Sequence, residues 1–235
     1  MTRIRQILIT AAVLVGVVVL FEYTDIDLRV QDHCYDFQNR SWAVNRDEPV
    51  ARMIFYTGAK GAAAVVGVAC GLVCLLSLRL DRLRPYRQGC LRMTLSLIFV
   101  PLLIAGSKQF TNVYTPRQVQ RYGGTNPYVK VLEKYPPDFK PTKRAKGFPA
   151  GHATGGFAFM MLYFVFRKAP WKWLGLAAGV TAGWSMGIYQ TLNGEHYLSH
   201  TIVTMLAAWI VILVIQGLVF PRRVHCDQSE ARAGY

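Results

Sequence analysis

Hydrophobic residues along the chain fall into six blocks, at Ile7–Phe21, Ile54–Leu78, Met93–Gly106, Ala153–Phe166, Leu174–Ile188 and Thr201–Phe220. A helix needs roughly 20 residues to cross a bilayer. Some blocks are shorter than this at their strict limits, and flanking Tyr, Trp and Thr extend them into the interface. The pattern predicts an all-α, polytopic bundle of six transmembrane helices, forming a single domain over residues 1–235. The first block follows Arg3 and Arg5, as a signal peptide would. Residues Phe21 to Asp25 offer no small-x-small cleavage site, so the block reads as a retained anchor.

The polar connections carry unequal charge, and that orients the bundle. Arg3 and Arg5 precede the first block, and Arg79, Arg82, Arg84, Arg87 and Arg92 join the second to the third. Arg167, Lys168 and Lys172 join the fourth to the fifth, and Arg222 and Arg223 follow the sixth. Cytoplasmic connections are enriched in Lys and Arg, so these segments and both termini are expected inside. The other side then holds the acidic loop Glu22–Arg52, a long loop over residues 111–148 and the turn Gln190–His200. The long loop is basic and rich in proline, and such loops weigh little in the rule. Within it, Tyr122 to Gly124 marks a turn, and Lys130–Lys134 reads as a short interfacial helix. Residues 225–235 read as a flexible polar tail.

Composition narrows the class. Hydrophobic residues make up 52% of the 235, and mean hydropathy is +0.23, above what a soluble domain of this length carries. Net charge is +14, yet the arginines gather at the ends of apolar blocks and no nucleic-acid motif is present. That distribution fits anionic lipid headgroups and excludes a nucleic-acid partner. The five cysteines form no Cys-x-x-Cys and no disulfide framework; Cys70 and Cys74, one turn apart in an apolar block, read as small packing residues.

Three segments carry candidate chemistry, and the orientation puts all of them on one non-cytoplasmic face. Residues 108–116 begin with Lys108 at the end of the third block. A lysine there either snorkels to the interface or meets an anion. Lys60 admits the same two readings, as a headgroup contact. Residues 149–152 make a Pro-Ala-Gly turn into His152 at the start of a helix, where free N–H groups favour an anion and His152 is placed to act as general acid. In the third segment His196 and His200 lie four residues apart and share a helical face. In one reading His196 is a nucleophile oriented by its neighbour. In another the pair is half a zinc site whose further ligands are distant.

The spacing of these segments resembles the type 2 phosphatidic acid phosphatase superfamily of membrane lipid phosphatases. That family's pattern is Lys-x6-Arg-Pro, then Pro-Ser-Gly-His, then Ser-Arg-x5-His-x3-Asp. Lys108 and Pro116 match the first segment, Pro149, Gly151 and His152 the second, and His196 the third. Five positions depart: Thr115 stands at the first Arg, Ala150 at the Ser of the second segment, Tyr189 at the Ser of the third, Gln190 at the second Arg and His200 at the Asp.

The resemblance implies metal-independent hydrolysis, without a cofactor, of a phosphate monoester or pyrophosphate on a lipid. Candidate substrates are undecaprenyl pyrophosphate, phosphatidic acid, phosphatidylglycerophosphate and lipid A. It implies His196 as nucleophile through a phosphohistidine, His152 as leaving-group acid and His200 as the orienting group. Lys108, Gly151, Arg117 and Gln190 become the phosphate contacts. Arg121, Lys143, Arg144 and Lys146 are further cations able to replace the lost guanidiniums. The implied location is a bacterial inner membrane, with the site facing the periplasm or outside. Two alternatives stay open: phosphoryl transfer from lipid to lipid, and a non-catalytic lipid-binding protein that keeps the fold.

Overall fold

The computed structural model describes residues 2–139 and 144–220, and most of them are helical. In chain order the helices are α1 (Arg3–Tyr23), α2 (Ile26–Asp32), α3 (Pro49–Leu76), α4 (Arg84–Ser107), α5 (residues 151–165), α6 (Ala169–Leu192) and α7 (Leu198–Leu218). Between α2 and α3, β1 (Tyr35–Asp36) pairs antiparallel with β2 (Ser41–Trp42), Tyr35 opposite Trp42. Lys143, Arg222, Arg223, Cys226 and the tail 225–235 lie outside the described residues.

Four helical segments among the described residues are long and apolar enough to cross a membrane: Arg3–Tyr23, Pro49–Leu76, Asp81–Ser107 and Leu198–Leu218. They start earlier than the apolar blocks because helix propensity continues into the polar flanks. Glu48 accepts the Val50 and Ala51 N–H groups at the start of α3, and prolines sit in the first turns of α3, α4 and α6, where no N–H is needed. The remaining two blocks are helical but different in kind. α5 is short and alternates between 3-10 and α turns, and α6 has 24 residues with a polar, buried end at Tyr189, Gln190 and Thr191.

α1 packs on α7, α3 on α4, and α5 is enclosed by α4, α6 and α7. The core between them holds Val100, Phe157, Met161, Met186 and Ile212. α1 has no buried residue, and Leu8, Val15, Val65, Val68 and Leu75 of α1 and α3 are exposed. Such apolar outer faces suit a lipid surround. The α5–α6 seam depends on Gly175, Gly179 and Gly183, and Gly187 continues the same row, one turn apart along α6, onto α7. A side chain at Gly179 or Gly183 would collide with Met160 or Phe157 of α5, and one at Gly187 with Thr201 of α7. Small residues at this spacing let helix backbones approach closely, a common packing device in membranes.

The loops at one end form a cap. Tyr35, Trp42 and Tyr122 pack together with ring centroids 4.8–5.4 Å apart, and Arg121 grips Asp32 through Nε–Oδ1 at 2.8 Å and Nη2–Oδ2 at 2.6 Å. Lys130–Lys134, expected as a short helix, is not helical. The Lys130 N–H donates to Glu133 Oε2 at 3.0 Å and the Leu132 N–H to Glu22 Oε2 at 3.2 Å, so carboxylates take up donors that a first helical turn would leave free.

Candidate active site

The C-terminal end of α4, the N-terminal ends of α5 and α7 and the last turn of α6 converge beneath this cap. Lys108 caps α4. Its Nζ donates to the Lys146 carbonyl at 3.2 Å and lies along the backbone at Gly151, where a Cβ would come within 3.2 Å of Nζ. A side chain at 151 would press on the ammonium and shift it by a few tenths of an ångström from the turn that bears His152. Ala150 adjoins α7: its N–H points at the His200 carbonyl at 3.4 Å, and its own carbonyl accepts from Thr204 Oγ1 at 3.3 Å.

The three histidines form a chain of contacts. His152 Nδ1 is 3.1 Å from His196 Nε2, and His196 Nδ1 is 3.4 Å from His200 Nδ1. The His152 and His196 ring centroids are 5.3 Å apart, and those of His196 and His200 5.6 Å. His196 and His200 are buried at 2% and 1% exposure, and His200 is walled by Phe148 and Tyr197. Burial first, then the charges of Lys60 and Lys108, pushes the His152 imidazole down to about 3. Burial first, then its two histidine neighbours and Lys108, holds His196 well below the usual histidine range, while the Gly147 backbone pulls the other way. Burial and Lys60 also lower Lys108. Both rings are therefore neutral at neutral pH, as an attacking imidazole requires.

The turn between α6 and α7 is fixed from several sides. Gly194 has φ of +77° and lies flat against the Trp42 ring, where no side chain fits. The Gln190 carbonyl accepts from the Glu195 and His196 N–H groups at 2.8 and 3.1 Å, and its side-chain oxygen accepts from Asn193 Nδ2 at 3.2 Å. Arg117 Nε donates to the Asn193 carbonyl and lies 3.8 Å from Glu195. At the start of α7, Asp27 of α2 accepts from both the N–H and the hydroxyl of Ser199, which locks the register next to His200. Burial raises the Asp27 carboxyl to about 6 against the pull of those bonds.

A polar pocket of about 160 Å³ opens at His152, lined by Arg46, Arg52, Tyr56, Gln190, Asn193 and Glu195 among others. Arg46 Nη1 contacts Glu195 at 2.9 Å. On the other side of His152, a groove of about 560 Å³ runs between α3 and α4, bordered by Lys60, Ala64, Gly67, Leu97, Ile98 and Pro101. Tyr56 lies in a π-helical stretch of α3, Met53–Gly58, and its ring is 4.9 Å from that of His152, with Lys60 Nζ 4.0 Å from its centroid. Among the described residues no three His, Cys, Asp or Glu side chains stand in an arrangement that would hold a metal ion.

Lys108, Gly151, His152, His196 and His200, picked out along the sequence, thus meet in one place, with Gln190 on the pocket wall. Arg117 reaches the same turn but is engaged with Asn193 and Glu195 and does not line the pocket. Thr115 forms a capping box with Gln118 and faces its own turn. Arg121 is held by Asp32, and Arg144 Nε donates to the Thr111 carbonyl at 3.3 Å. The guanidiniums on the pocket come from elsewhere: Arg46 lies just before α3 and Arg52 in its first turn, both within the stretch that sequence reading treated as a plain acidic loop. The available signal was that both are cations on the side where positive charge is disfavoured.

A sequence model of the PAP2 superfamily matches residues 89–223, from α4 through α7. The chain belongs to the PAP2 superfamily. No curated protein and no solved structure matches it. PAP2 proteins are generally phosphoesterases, so this membership points to phosphatase-type chemistry on a phosphorylated substrate. The long apolar helices make this PAP2 chain a membrane protein.

Proposed function

We propose that the protein is a metal-independent membrane lipid phosphatase working through a phosphohistidine. The observation that carries this reading is the position of His152, which borders both the polar pocket with Arg46 and Arg52 and the apolar groove between α3 and α4. A phosphate in the pocket would leave its hydrocarbon chain to lie in the groove, against Gly67 and Leu97. A soluble phosphate ester has no use for that groove.

The chemistry assigned to each group follows from its contacts. His196 Nε2 is the attacking atom, and His200 on the opposite ring nitrogen fixes the tautomer. An incoming phosphoryl group displaces the His152–His196 contact, leaving His152 free to take up the proton carried by the phosphate monoanion and pass it to the leaving oxygen. Its own basicity is suppressed in the empty site by burial and by two lysines. A bound phosphate offsets those charges and raises it again. Lys108, with the Gly151 and His152 backbone, stabilises the equatorial oxygens, and Arg46 and Arg52 supply the guanidinium charge missing at Thr115 and Gln190. Water then cleaves the phosphohistidine.

In this reading all six helical blocks cross the bilayer, α5 and α6 as inner members shielded by α4 and α7. Both termini are cytoplasmic, and the histidines open to the periplasmic face of a bacterial inner membrane. Undecaprenyl pyrophosphate, phosphatidic acid, phosphatidylglycerophosphate and lipid A are the substrates to test, with an acceptor lipid in place of water as the transferase variant. A non-catalytic lipid-binding role is favoured by one observation, the closed contact between His152 and His196. Phosphate release by the purified protein across these lipids decides between them: release abolished by His196→Ala supports the enzyme, and no release from any lipid supports the binding protein.

A further inference from the structure

A further cavity, of about 520 Å³, lies at the opposite end of the bundle among α1, α4, α5 and α6. Arg3, Arg92, Arg167 and Lys172 line it, and among the described residues no Asp or Glu does. Arg92 is about 24 Å along α4 from Lys108, at 1.5 Å per residue. Among the described residues none of the four cations is in an ion pair. Arg3 Nη1 donates to the carbonyls of Gln216 and Phe220 at 2.7 and 2.9 Å, and Arg92 Nε donates to Gln216 Oε1 at 3.0 Å. These acceptors are neutral, so they orient the guanidiniums without cancelling their charge. Arg3 and Arg167 both repel Arg92. Cations gathered in one cavity raise each other's energy unless an anion enters.

The surroundings decide which anion. Tyr163, Phe164 and Phe166 share the lining. Trp171 and Trp173 beside them are 54% and 61% exposed, and Trp173 packs edge-on to Tyr163 at 5.3 Å. Exposed tryptophans at a helix end mark the depth of lipid headgroups, and basic pockets between helices at that depth take phosphate headgroups. We propose that this cavity binds the phosphate-bearing headgroup of an anionic phospholipid, at a site separate from the histidines. The proposal does not depend on catalysis.

The test uses the full-length protein in neutral detergent, with phosphatidylglycerol retention read by native mass spectrometry and thermal stability read in parallel. Phosphatidylglycerol is expected to be retained and to raise the melting midpoint, while phosphatidylcholine and inorganic phosphate at the same concentration do neither. Arg92→Gln and Arg167→Gln should each weaken retention about fivefold, the worth of one cation at an anionic lipid surface. Arg167 is exposed, so its replacement leaves folding intact even if Arg92→Gln does not. His196→Ala should bind as wild type does. Equal retention of phosphatidylcholine, equal stabilisation by inorganic phosphate, unchanged retention in Arg167→Gln, or loss of retention in His196→Ala would each overturn the proposal.

Discussion

His152 Nδ1 and His196 Nε2 stand 3.1 Å apart, so in the empty site the proposed acid and the proposed nucleophile occupy each other. One ring donates and the other accepts. A phosphoryl group must part them before either can act. Replacing one therefore changes the other, and the two losses should not add. His196→Ala should abolish turnover, since no phosphohistidine forms. His152→Ala should cost roughly 10²–10⁴-fold in kcat, the usual worth of a general acid, with the double variant no worse than His196→Ala. Phosphate-release rates for the three variants, with and without EDTA, check this; EDTA should change nothing. Substantial turnover by His196→Ala would remove it as nucleophile.

The suppressed basicity of both rings sets the pH profile. Burial, its histidine neighbours and Lys108 hold His196 well below the usual histidine range, so acid does not switch off the nucleophile within that range. His152 titrates near 3 in the free site, so it brings no proton of its own at neutral pH. The substrate must carry that proton as its monoanion, and phosphate monoesters lose it near about pH 6. We expect kcat/KM on a lipid monophosphate to fall about tenfold per unit well above about pH 6. A profile rising from pH 6 to 8 would mean that a different group supplies the proton.

Much of this arrangement was legible along the chain. Lys108, Gly151, His152 and His196 stood out because each adjoins an apolar block on one side of the predicted bundle, and the structure brings them together. Helix ends and packing were less visible. α4 extends back to Arg84 because a proline in its first turn and helix propensity, not hydrophobicity, set where it begins. The Gly175–Gly187 ladder, one turn apart along α6, carried a close-packing signal that a hydropathy pattern ignores. Arg46, Arg52 and Asp27 were missed because long-range folding alone brings them to the site. Nothing near Asp27 in sequence announces that it will hold Ser199, which is 172 residues away.

Arg46 and Glu195 offer a test of the replacement guanidiniums. Their 2.9 Å contact neutralises a cation at the pocket mouth. Arg46→Ala should raise KM about tenfold, the lower range for a charge-assisted bond given that the side chain is half exposed. Glu195→Gln frees Arg46 for phosphate and should lower KM. If both variants leave KM unchanged, Arg46 takes no part in binding.

The charge pattern predicts a topology that labelling can test. A cysteine at Arg84 and one at Thr125, in a background without the native cysteines, should label from opposite sides of intact vesicles. The two sites lie beyond opposite ends of the hydrophobic part of α4, one before Met93 and one after Lys108. Labelling of both from one side would refute the bundle and the shared face of the three segments.

The groove between α3 and α4 separates a lipid substrate from a soluble one. Ala64 borders it and is exposed, so Ala64→Phe fills the groove without disturbing the buried core. A long chain displaced from an apolar groove loses binding worth several methylenes, and discrimination at such sites runs about tenfold or more. We expect Ala64→Phe to lower kcat/KM at least about tenfold on a long-chain lipid phosphate. A short-chain phosphate ester, which never reaches Gly67 or Leu97, should be turned over as by the wild type. Paired assays on the two substrates measure the ratio directly. Equal losses on both would mean that the phenylalanine disturbs His152 itself, and no loss on either would mean that the hydrocarbon chain leaves the site by another route.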